Sequence, residues 1–351
     1  MRGARAPRTV DRGVAFEVRA ARPDERGEVS ALVREMIPGV DADARLHWLY
    51  ERNPGGTART WIAYERGEAA GCTSYFPFRL VLDGAPVLGA LGGDGFVRPR
   101  FRRRGLGGLL HDAARRDMHA LGIGCMYGAP GAMNVTPLKH GGSREIGHVA
   151  RWARPLRATA LGLPSPLDPV VSALLRPKRA RAHLTPMLRD DPRVDQIWRT
   201  TAAELRLGAM RDAAFYTWRF LDAPAQRQRA YVIVRSGSAG PRSDGQPIAA
   251  CALEPMHGGR TLRVVDLVAS SGAWPDALVA IARHAADTTA RVLDIKLLAL
   301  DGRRRAMWRA GFFERDSKPF LVVIPQRGDR RFLDPTRWFY GGADSDLDTF
   351  A

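Results

Sequence analysis

An internal repeat constrains the fold of this 351-residue chain more than any other feature of its sequence. Two tryptophans, two prolines, two starts of apolar runs and two glycines recur with a constant offset of 170 residues. The matching pairs are Trp48 and Trp218, Pro54 and Pro224, Trp61 and Tyr231, and Gly141 and Gly311. Four landmarks in one register are typical of a duplicated unit, so we expect two related domains in tandem.

Each unit combines strand and helix patterns, which predicts the α/β (α+β) fold class with mixed sheets. In the first unit a long strand ends at Val97, and a helix with inward apolar positions runs from Gly105 to about Leu121. In the second unit a helix from Pro275 to about Thr288 lies between two strands. The predicted boundaries are a disordered basic tail over 1–14, a first domain over 15–155, a connector over 156–196, a second domain over 197–326 and a C-terminal tail over 327–351.

The charge balance does not by itself identify a partner. The formal net charge is +17, but fifty of the 54 basic residues are arginines, a bias typical of a GC-rich coding sequence. Binding of nucleic acid would favour aromatic side chains among the basic residues, and Phe101 is the only aromatic in the main arginine cluster. We therefore expect no nucleic-acid partner.

Other features of the sequence bear on the cellular setting. No apolar run reaches the roughly eighteen residues that a membrane span needs, and the first residues lack an apolar signal segment. We therefore expect a cytoplasmic protein with no membrane partner. Cys72, Cys125 and Cys251 lie far apart in apolar stretches, without a CxxC pair. This pattern predicts buried, reduced thiols and no metal site.

The segment VRPRFRRRGLGGLL, from Val97 to Leu110, has the sequence of an anion-binding turn between a strand and a helix. The first N–H groups of a helix have no partner within it, and the helix dipole adds partial positive charge there. Glycines at 105, 107 and 108 allow a ligand to approach the backbone, and Arg102, Arg103 or Arg104 can add charge-assisted contacts. The segment therefore predicts a diphosphate site.

The same segment resembles motif A of the GNAT superfamily of acyl-CoA N-acyltransferases, in which a strand ending in VxP and then an aromatic residue precede RxxGxG at a helix start. The matching residues are Val97, Pro99, Phe101, Arg102, Gly105 and Gly107. The stretch GAPGAMNVTPLKHGGSREIG is similar to the segment after the fifth strand in some members. The resemblance covers most of the chain and implies two GNAT-like mixed-sheet domains in tandem, with splayed central strands and helices on both faces.

The resemblance also implies a co-substrate, acetyl-CoA or another acyl-CoA, and no metal. The backbone from Arg102 to Gly108 would hold the pyrophosphate, Phe96 and Val97 would pair with the pantetheine amides, and Asn134 would lie beside the pantetheine arm. The predicted binding residues are Phe96, Val97, Arg102, Arg103, Arg104, Gly105, Leu106, Gly107, Gly108 and Asn134. By the repeat offset, Gly272 corresponds to Arg102, and no RxxGxG occurs there. The second domain is therefore predicted to be degenerate, without coenzyme A.

Acyl transfer from a thioester to an amine needs a neutral amine, a donor to the oxyanion and an acid for the leaving thiolate. Asp94 is the candidate base, with backbone capping as the alternative. Many family members carry a tyrosine acid where this chain has Pro137. Tyr127 is the candidate replacement, with a core role as the alternative, and His140 is a further candidate. Nothing near Cys125 is arranged to activate it, so direct attack by the amine is expected.

The sequence thus predicts an acyl-CoA-dependent N-acyltransferase, most simply an N-acetyltransferase, acting on the amine of a small molecule or sugar. The missing tyrosine motivates an alternative, a non-catalytic acyl-CoA-binding sensor or scaffold. The motifs indicate no particular oligomeric state. The acidic end at Asp344, Asp346 and Asp348 is expected to be a solvated tail, with contact to a cationic substrate as the alternative.

Overall fold

The structure is a computed structural model that describes residues 16–177, 180–235, 245–298, 302–324 and 328–345. The strands are β1 (Glu17–Ala20), β2 (Arg59–Glu65), β3 (Glu68–Leu82), β4 (Ala85–Val97), β5 (Cys125–Gly128), β6 (Arg144–Pro155), β7 (Ala182–Pro186), β8 (Leu207–Ala209), β9 (Arg229–Arg235), β10 (Pro247–Met256), β11 (Thr261–Ala269), β12 (Val292–Leu297), β13 (Phe313–Val323) and β14 (Trp338–Phe339). The α-helices are α1 (Arg26–Met36), α2 (Ala42–Arg45), α3 (Leu106–Ala120), α4 (Ala132–His140), α5 (Asp168–Leu175), α6 (Pro192–Glu204), α7 (Ala213–Tyr216), α8 (Trp274–Ala286) and α9 (Gly302–Arg309).

The order of the strands confirms the duplicated mixed-sheet architecture. Across the sheet they follow β1-β2-β3-β4-β5-β13-β6-β12-β11-β10-β9-β7. This order is the same from either end, because β1 to β6 have their counterparts in β7 and β9 to β13. The strands β2 and β9 begin at residues 59 and 229, so the offset of 170 is preserved in the structure.

The two units exchange their last strands at the middle of the sheet. Strand β13 of the second unit pairs with both β5 and β6 of the first. Strand β6 in turn pairs with β12 of the second unit. Backbone hydrogen bonds therefore run across the boundary predicted at residue 155, although the boundaries themselves stay predictions. The exchange makes the two units parts of one hydrogen-bonded sheet.

The two tryptophans that mark the repeat contact each other in the core. Trp48 and Trp218 lie on equivalent π-helical turns, and their rings stack with centroids 5.5 Å apart at 27°. The Nε1–H of Trp48 donates to the carbonyl of Trp218 over 2.7 Å, and the Nε1–H of Trp218 donates to the carbonyl of Trp48 over 2.9 Å. A buried indole N–H needs an acceptor, and each tryptophan supplies the other's.

Helices cover both faces of the first unit's sheet, as predicted. Side chains of β2 alternate between the faces, so that Trp61 and Ala63 pack with α3 while Ile62 and Tyr64 pack in the core that includes α1. The predicted helix from residue 105 is confirmed as α3, but Leu109 and Leu121 are exposed because α3 packs a narrower face on the sheet than expected. Among the described helices, none has the length and apolar character to cross a membrane.

The last described residues pack against both units. Trp338, Phe339 and Tyr340 are buried, and Asp344 is buried in an ion pair with Arg211 over 2.7 Å. The expectation of a solvated acidic tail was therefore wrong for Asp344, because the buried guanidinium compensates its charge. Asp346 and Asp348 lie outside the described residues.

Candidate active site

The central strands of the first unit form a fork. Strands β4 and β5 pair in parallel over three positions, Gly89 to Leu91 against Cys125 to Tyr127. Beyond Leu91, β4 continues along β3, whereas β5 continues along β13. The edge of β4 from Gly92 to Val97 therefore faces an opening rather than a strand among the described residues. Phe96 and Val97, predicted to pair with pantetheine, lie half-buried on this free edge.

A bulge in β4 opens the fork. The register between β3 and β4 shifts between Cys72 and Ser74, and Asp94 opposite them has φ of 46°. A bulge bends its strand and increases the local twist, which directs the end of β4 away from β5. The bulge at Asp94 therefore accounts for the splayed geometry that was expected of the central strands.

The turn after β4 leaves a row of amides without acceptors. Among the described residues, the N–H groups from Arg103 to Gly108 donate to no acceptor. Arg103 and Gly105 have φ of 61° and 78°, which turn the chain sharply into α3. A Cβ placed on Gly105 or Gly108 would meet nothing within 4 Å, so the space beside these two residues is open. The geometry fits a bound diphosphate.

The three arginines of the turn differ in their contacts. The Nε of Arg102 donates to the carbonyl of Val97 over 2.9 Å, and Arg104 pairs with Glu65 over 2.5 Å. Arg103 is exposed and, within the described part of the chain, forms no ion pair. Two of the guanidinium groups therefore hold the turn in shape, and Arg103 is the one free to contact an anion without rearrangement.

Helix α4 forms the other wall of the opening. The segment from Ala132 to His140 is helical, although Pro137 and the flanking glycines are typical of a loop. A Cβ on Gly107 would lie 3.9 Å from Pro137, so the first turn of α3 faces α4 closely. Asn134 is exposed on α4, and its place beside a pantetheine arm stays a prediction. We take the turn, the fork and α4 together as the candidate cleft.

Comparison with known proteins fits this geometry. The acetyltransferase (GNAT) domain family matches residues 17–136, which include the fork, the bulge and the open turn. Residues 17–136 are a GNAT domain. No curated protein matches the chain by sequence.

Solved structures extend the likeness of fold beyond the GNAT domain. A GCN5-related N-acetyltransferase from Anabaena variabilis is 15% identical with a TM-score of 0.64, covering 89% of this chain and 73% of that one. A probable N-acyltransferase from Enterococcus faecalis is 13% identical with a TM-score of 0.64 and the same coverage, 89% and 73%. Saccharomyces cerevisiae N-myristoyltransferase with bound myristoyl-CoA is 13% identical with a TM-score of 0.56, covering 92% and 88%. These neighbours share the fold over both units.

In the second unit, a backbone amide at the turn before α8 already has an acceptor, whereas the amides at the turn after β4 have none among the described residues. At the turn before α8, the carboxylate of Glu204 accepts a hydrogen bond from the N–H of Ser271 over 2.7 Å. A negative side chain thus occupies an amide near the helix start, where a diphosphate would need to bind. This contact supports the prediction that the second unit binds no coenzyme A.

Asp94 lies in a buried polar cluster. Its carboxylate accepts from the Nε of Arg45 over 2.9 Å and from the hydroxyl of Tyr50 over 2.6 Å, and its side chain is fully buried. Sequence reasoning missed Arg45 and Tyr50, because each stands more than forty positions from Asp94. Both oxygens of Asp94 are engaged, so its predicted role as a base requires the ion pair to open.

A similar cluster occurs in the second unit. Asp266 on β11 pairs with buried Arg211 over 3.0 Å and bonds to Tyr216. The Asp–Arg–Tyr cluster occurs in both units, whereas the RxxGxG turn occurs only in the first. The cluster therefore indicates a structural role, which is to stabilise the bulged strands. Whether Asp94 also acts in catalysis stays a prediction.

Tyr127 stands at the vertex of the fork. It is the last residue of β5 that pairs with β4, opposite Leu91. Its ring packs against Trp338 with centroids 5.1 Å apart, and against Phe320 and Tyr340. Among the described residues its buried hydroxyl has no hydrogen-bond partner. Burial raises the pKa of Tyr127 well above its usual value, so the phenol keeps its proton at neutral pH.

A second buried polar pair lies on the α3 side of the fork. The hydroxyl of Tyr75 and Nδ1 of His111 are 2.9 Å apart, and Tyr75 pairs with Gly92 at the opening. Burial lowers the pKa of His111 to about 4, so the imidazole is neutral at physiological pH. The motif analysis missed this pair, because His111 occupies an ordinary helical position.

The remaining candidates have no support from the geometry. Cys125 is buried, and burial raises the pKa of its thiol well above the usual value, which opposes a thiolate nucleophile. His140 is exposed at the end of α4. Within the described ranges, no three His, Cys, Asp or Glu side chains are grouped to hold a metal ion.

Proposed function

We propose that the protein is an acyl-CoA-dependent N-acyltransferase, most simply an N-acetyltransferase, that transfers the acyl group to the amine of a small molecule or sugar. The observation that carries the proposal is the row of unpartnered amides from Arg103 to Gly108, which opens onto the forked strands. The GNAT family match over this region supports acyl-CoA as the co-substrate.

Each part of the cleft has a task in this reaction. The amides from Arg103 to Gly108 would hold the pyrophosphate, with Arg103 adding a charge-assisted contact. The free edge of β4 near Phe96 and Val97 would pair with the pantetheine amides. An N–H on the same edge would donate to the oxyanion that develops on the thioester carbonyl. Acyl-CoA supplies the activated thioester, and the chain supplies position and hydrogen bonds.

The leaving group needs a proton, and Tyr127 is the proposed donor. When the neutral amine attacks, a C–N bond forms and the C–S bond breaks. The nitrogen loses one proton to water or a base, and the thiolate takes up one proton. A buried hydroxyl without a partner costs about 1–3 kcal/mol, so the unpartnered hydroxyl of Tyr127 calls for an explanation. A thioester sulfur beside the vertex would supply the missing partner. The raised pKa keeps this proton in place until the thiolate forms.

A turnover assay with Tyr127→Phe tests the proposal. Thiol release from acetyl-CoA should exceed background with at least one amine of a small-molecule and aminosugar panel. Tyr127→Phe should lower kcat about 100-fold with little change in KM, because positioned acids contribute rates of this order. Its melting temperature should not fall, since the lost hydroxyl made no hydrogen bond.

The same assay separates enzyme from sensor. A non-catalytic sensor or scaffold would be stabilised by acetyl-CoA and release no thiol with any amine. Unchanged turnover in Tyr127→Phe would instead remove the tyrosine from the mechanism while leaving the acyl transfer intact.

The two aspartate clusters provide a matched test of Asp94. Asp94→Asn should cost about 3 kcal/mol of unfolding free energy, because it leaves buried Arg45 without its counter-charge. Asp266→Asn should cost less, because Arg211 keeps its ion pair with Asp344. If Asp94 is the base, only Asp94→Asn should lower kcat/KM by far more than its loss of stability explains. Equal kcat/KM in the folded Asp94→Asn and Asp266→Asn variants would give Asp94 the structural part that Asp266 has.

A further inference from the structure

The connector between the two units exposes a row of apolar side chains. They project from the turns after β6 and from α5, and each is between 42% and 73% exposed. The residues are Leu161, Leu163, Leu167, Val170 and Leu174. Single exposed apolar residues are ordinary, but a clustered set on one segment indicates an interaction site.

Helix α9 is strongly basic and lies next to this row. Its eight residues include four arginines and no acidic residue. Trp308 on the same helix is 55% exposed, and the guanidinium of Arg304 lies 5.2 Å from the centroid of its ring. An exposed tryptophan beside arginines is a combination found where proteins meet the interface of a bilayer.

Arg154 joins α5 to α9. Its Nη2 donates to the carbonyl of Leu175, the last residue of α5, over 2.5 Å, and its Nη1 donates to the carbonyl of Ala310 just after α9. The ends of the two helices therefore converge on one guanidinium. We call the apolar row and α9, which meet at these ends, the connector–α9 surface.

The charge of this surface is positive. Two acidic side chains beside it are paired, Asp287 with Arg176 over 2.7 Å and Glu314 with Arg304 over 2.9 Å. A third, Asp168 on α5, accepts a hydrogen bond from the N–H of Thr159 over 3.0 Å. Arg305 and Arg309 are exposed and form no ion pair within the described part of the chain. Unpaired arginines beside exposed leucines complement a partner that is both anionic and apolar.

We propose that the connector–α9 surface binds the surface of an anionic lipid bilayer. The exposed leucines and Val170 would enter the boundary between headgroups and acyl chains, Trp308 would lie at headgroup level, and Arg305 and Arg309 would contact lipid phosphates. The apolar row lies on proline-punctuated turns and a short helix, which suits a fluid interface better than a rigid, shape-matched protein partner. Peripheral binding needs no spanning helix, so it revises the expectation of no membrane partner, and it is independent of the acyl-transfer proposal.

Flotation with vesicles tests this inference on the full chain. Wild-type protein should bind vesicles of phosphatidylcholine with about 30% phosphatidylglycerol, and it should bind vesicles of pure phosphatidylcholine much more weakly. Val170→Asp with Leu174→Asp should weaken binding at least about tenfold, because two carboxylates would have to enter the interface. The matched control, Leu121→Asp with Leu188→Asp, changes two exposed leucines elsewhere and should bind like wild type.

A fluorescence-labelling experiment tests the inference without a variant whose binding is weakened. An environment-sensitive fluorophore on Val170→Cys should shift to the blue on anionic vesicles, whereas the same label on Leu188→Cys should not. The native cysteines are buried, so labelling is selective.

Three results would overturn the inference. They are an absence of wild-type binding to anionic vesicles, equal binding by the two double variants, and sedimentation showing a dimer that only Val170→Asp with Leu174→Asp dissociates. The last would make this surface an interface between two copies of the chain.

Discussion

Gly108→Glu is expected to abolish acetyl-CoA binding while the protein stays folded. Gly108 is the third residue of α3, and a side chain there meets nothing within 4 Å. An acidic residue in the first turn stabilises a helix by about 0.3–1 kcal/mol, and replacing a helical glycine adds a similar amount. The same carboxylate would fill the cradle and repel the diphosphate, so affinity should fall at least about 100-fold. Calorimetric titration and a melting curve together would show both effects.

The duplication supplies the control for this prediction. Gly272→Glu places the same substitution at the turn before α8, where there is also open space and where Glu204 already occupies an amide. It should leave acetyl-CoA affinity unchanged. Undiminished binding in a folded Gly108→Glu variant would show that the turn after β4 is not the diphosphate site.

Trp48→Ala is expected to cause the largest loss of stability. The substitution removes a buried stacked ring, leaves a cavity beside Trp218, and takes away the indole N–H that donates to the carbonyl of Trp218. Large aromatic truncations in cores cost about 3–5 kcal/mol, whereas Trp308→Ala on the surface should cost less than about 1 kcal/mol. Urea unfolding measures both.

The double variant adds a test of the contact itself. Trp48→Ala with Trp218→Ala should cost less than the sum of the single variants by about 1–2 kcal/mol, because the two rings share one interaction. Additive losses would show that the rings pack independently. Two separate unfolding transitions in wild type would contradict the single sheet formed by the exchanged strands.

The duplication and the open turn could be predicted from the sequence because both depend on local patterns. The offset of 170 fixed the equivalence of β2 with β9, and RxxGxG fixed the start of α3 near Gly105. Neither pattern reveals which distant elements meet. The register shows that Trp48 and Trp218 are equivalent, but their contact depends on how the units associate.

Long-range pairing explains most of what the sequence did not reveal. A strand shows the same residue pattern whichever neighbour it joins, so the pairing of β6 with β12 left no local signal. The partners of Asp94 are equally distant along the chain, and its ion pair with Arg45 came only from the fold. Helix α4 was missed because Pro137 and the preceding glycines are typical of a loop.

Strand exchange has a consequence for the cleft itself. One arm of the fork, β5, is held on its outer side by β13, which the chain supplies from near its far end. A shortened protein that ended after residue 155 would lack that brace, and its fifth strand would present a bare edge. The second unit, which has no phosphate-binding turn, therefore supports one side of the opening between β4 and β5 in the first unit. This support is a structural role for the second unit.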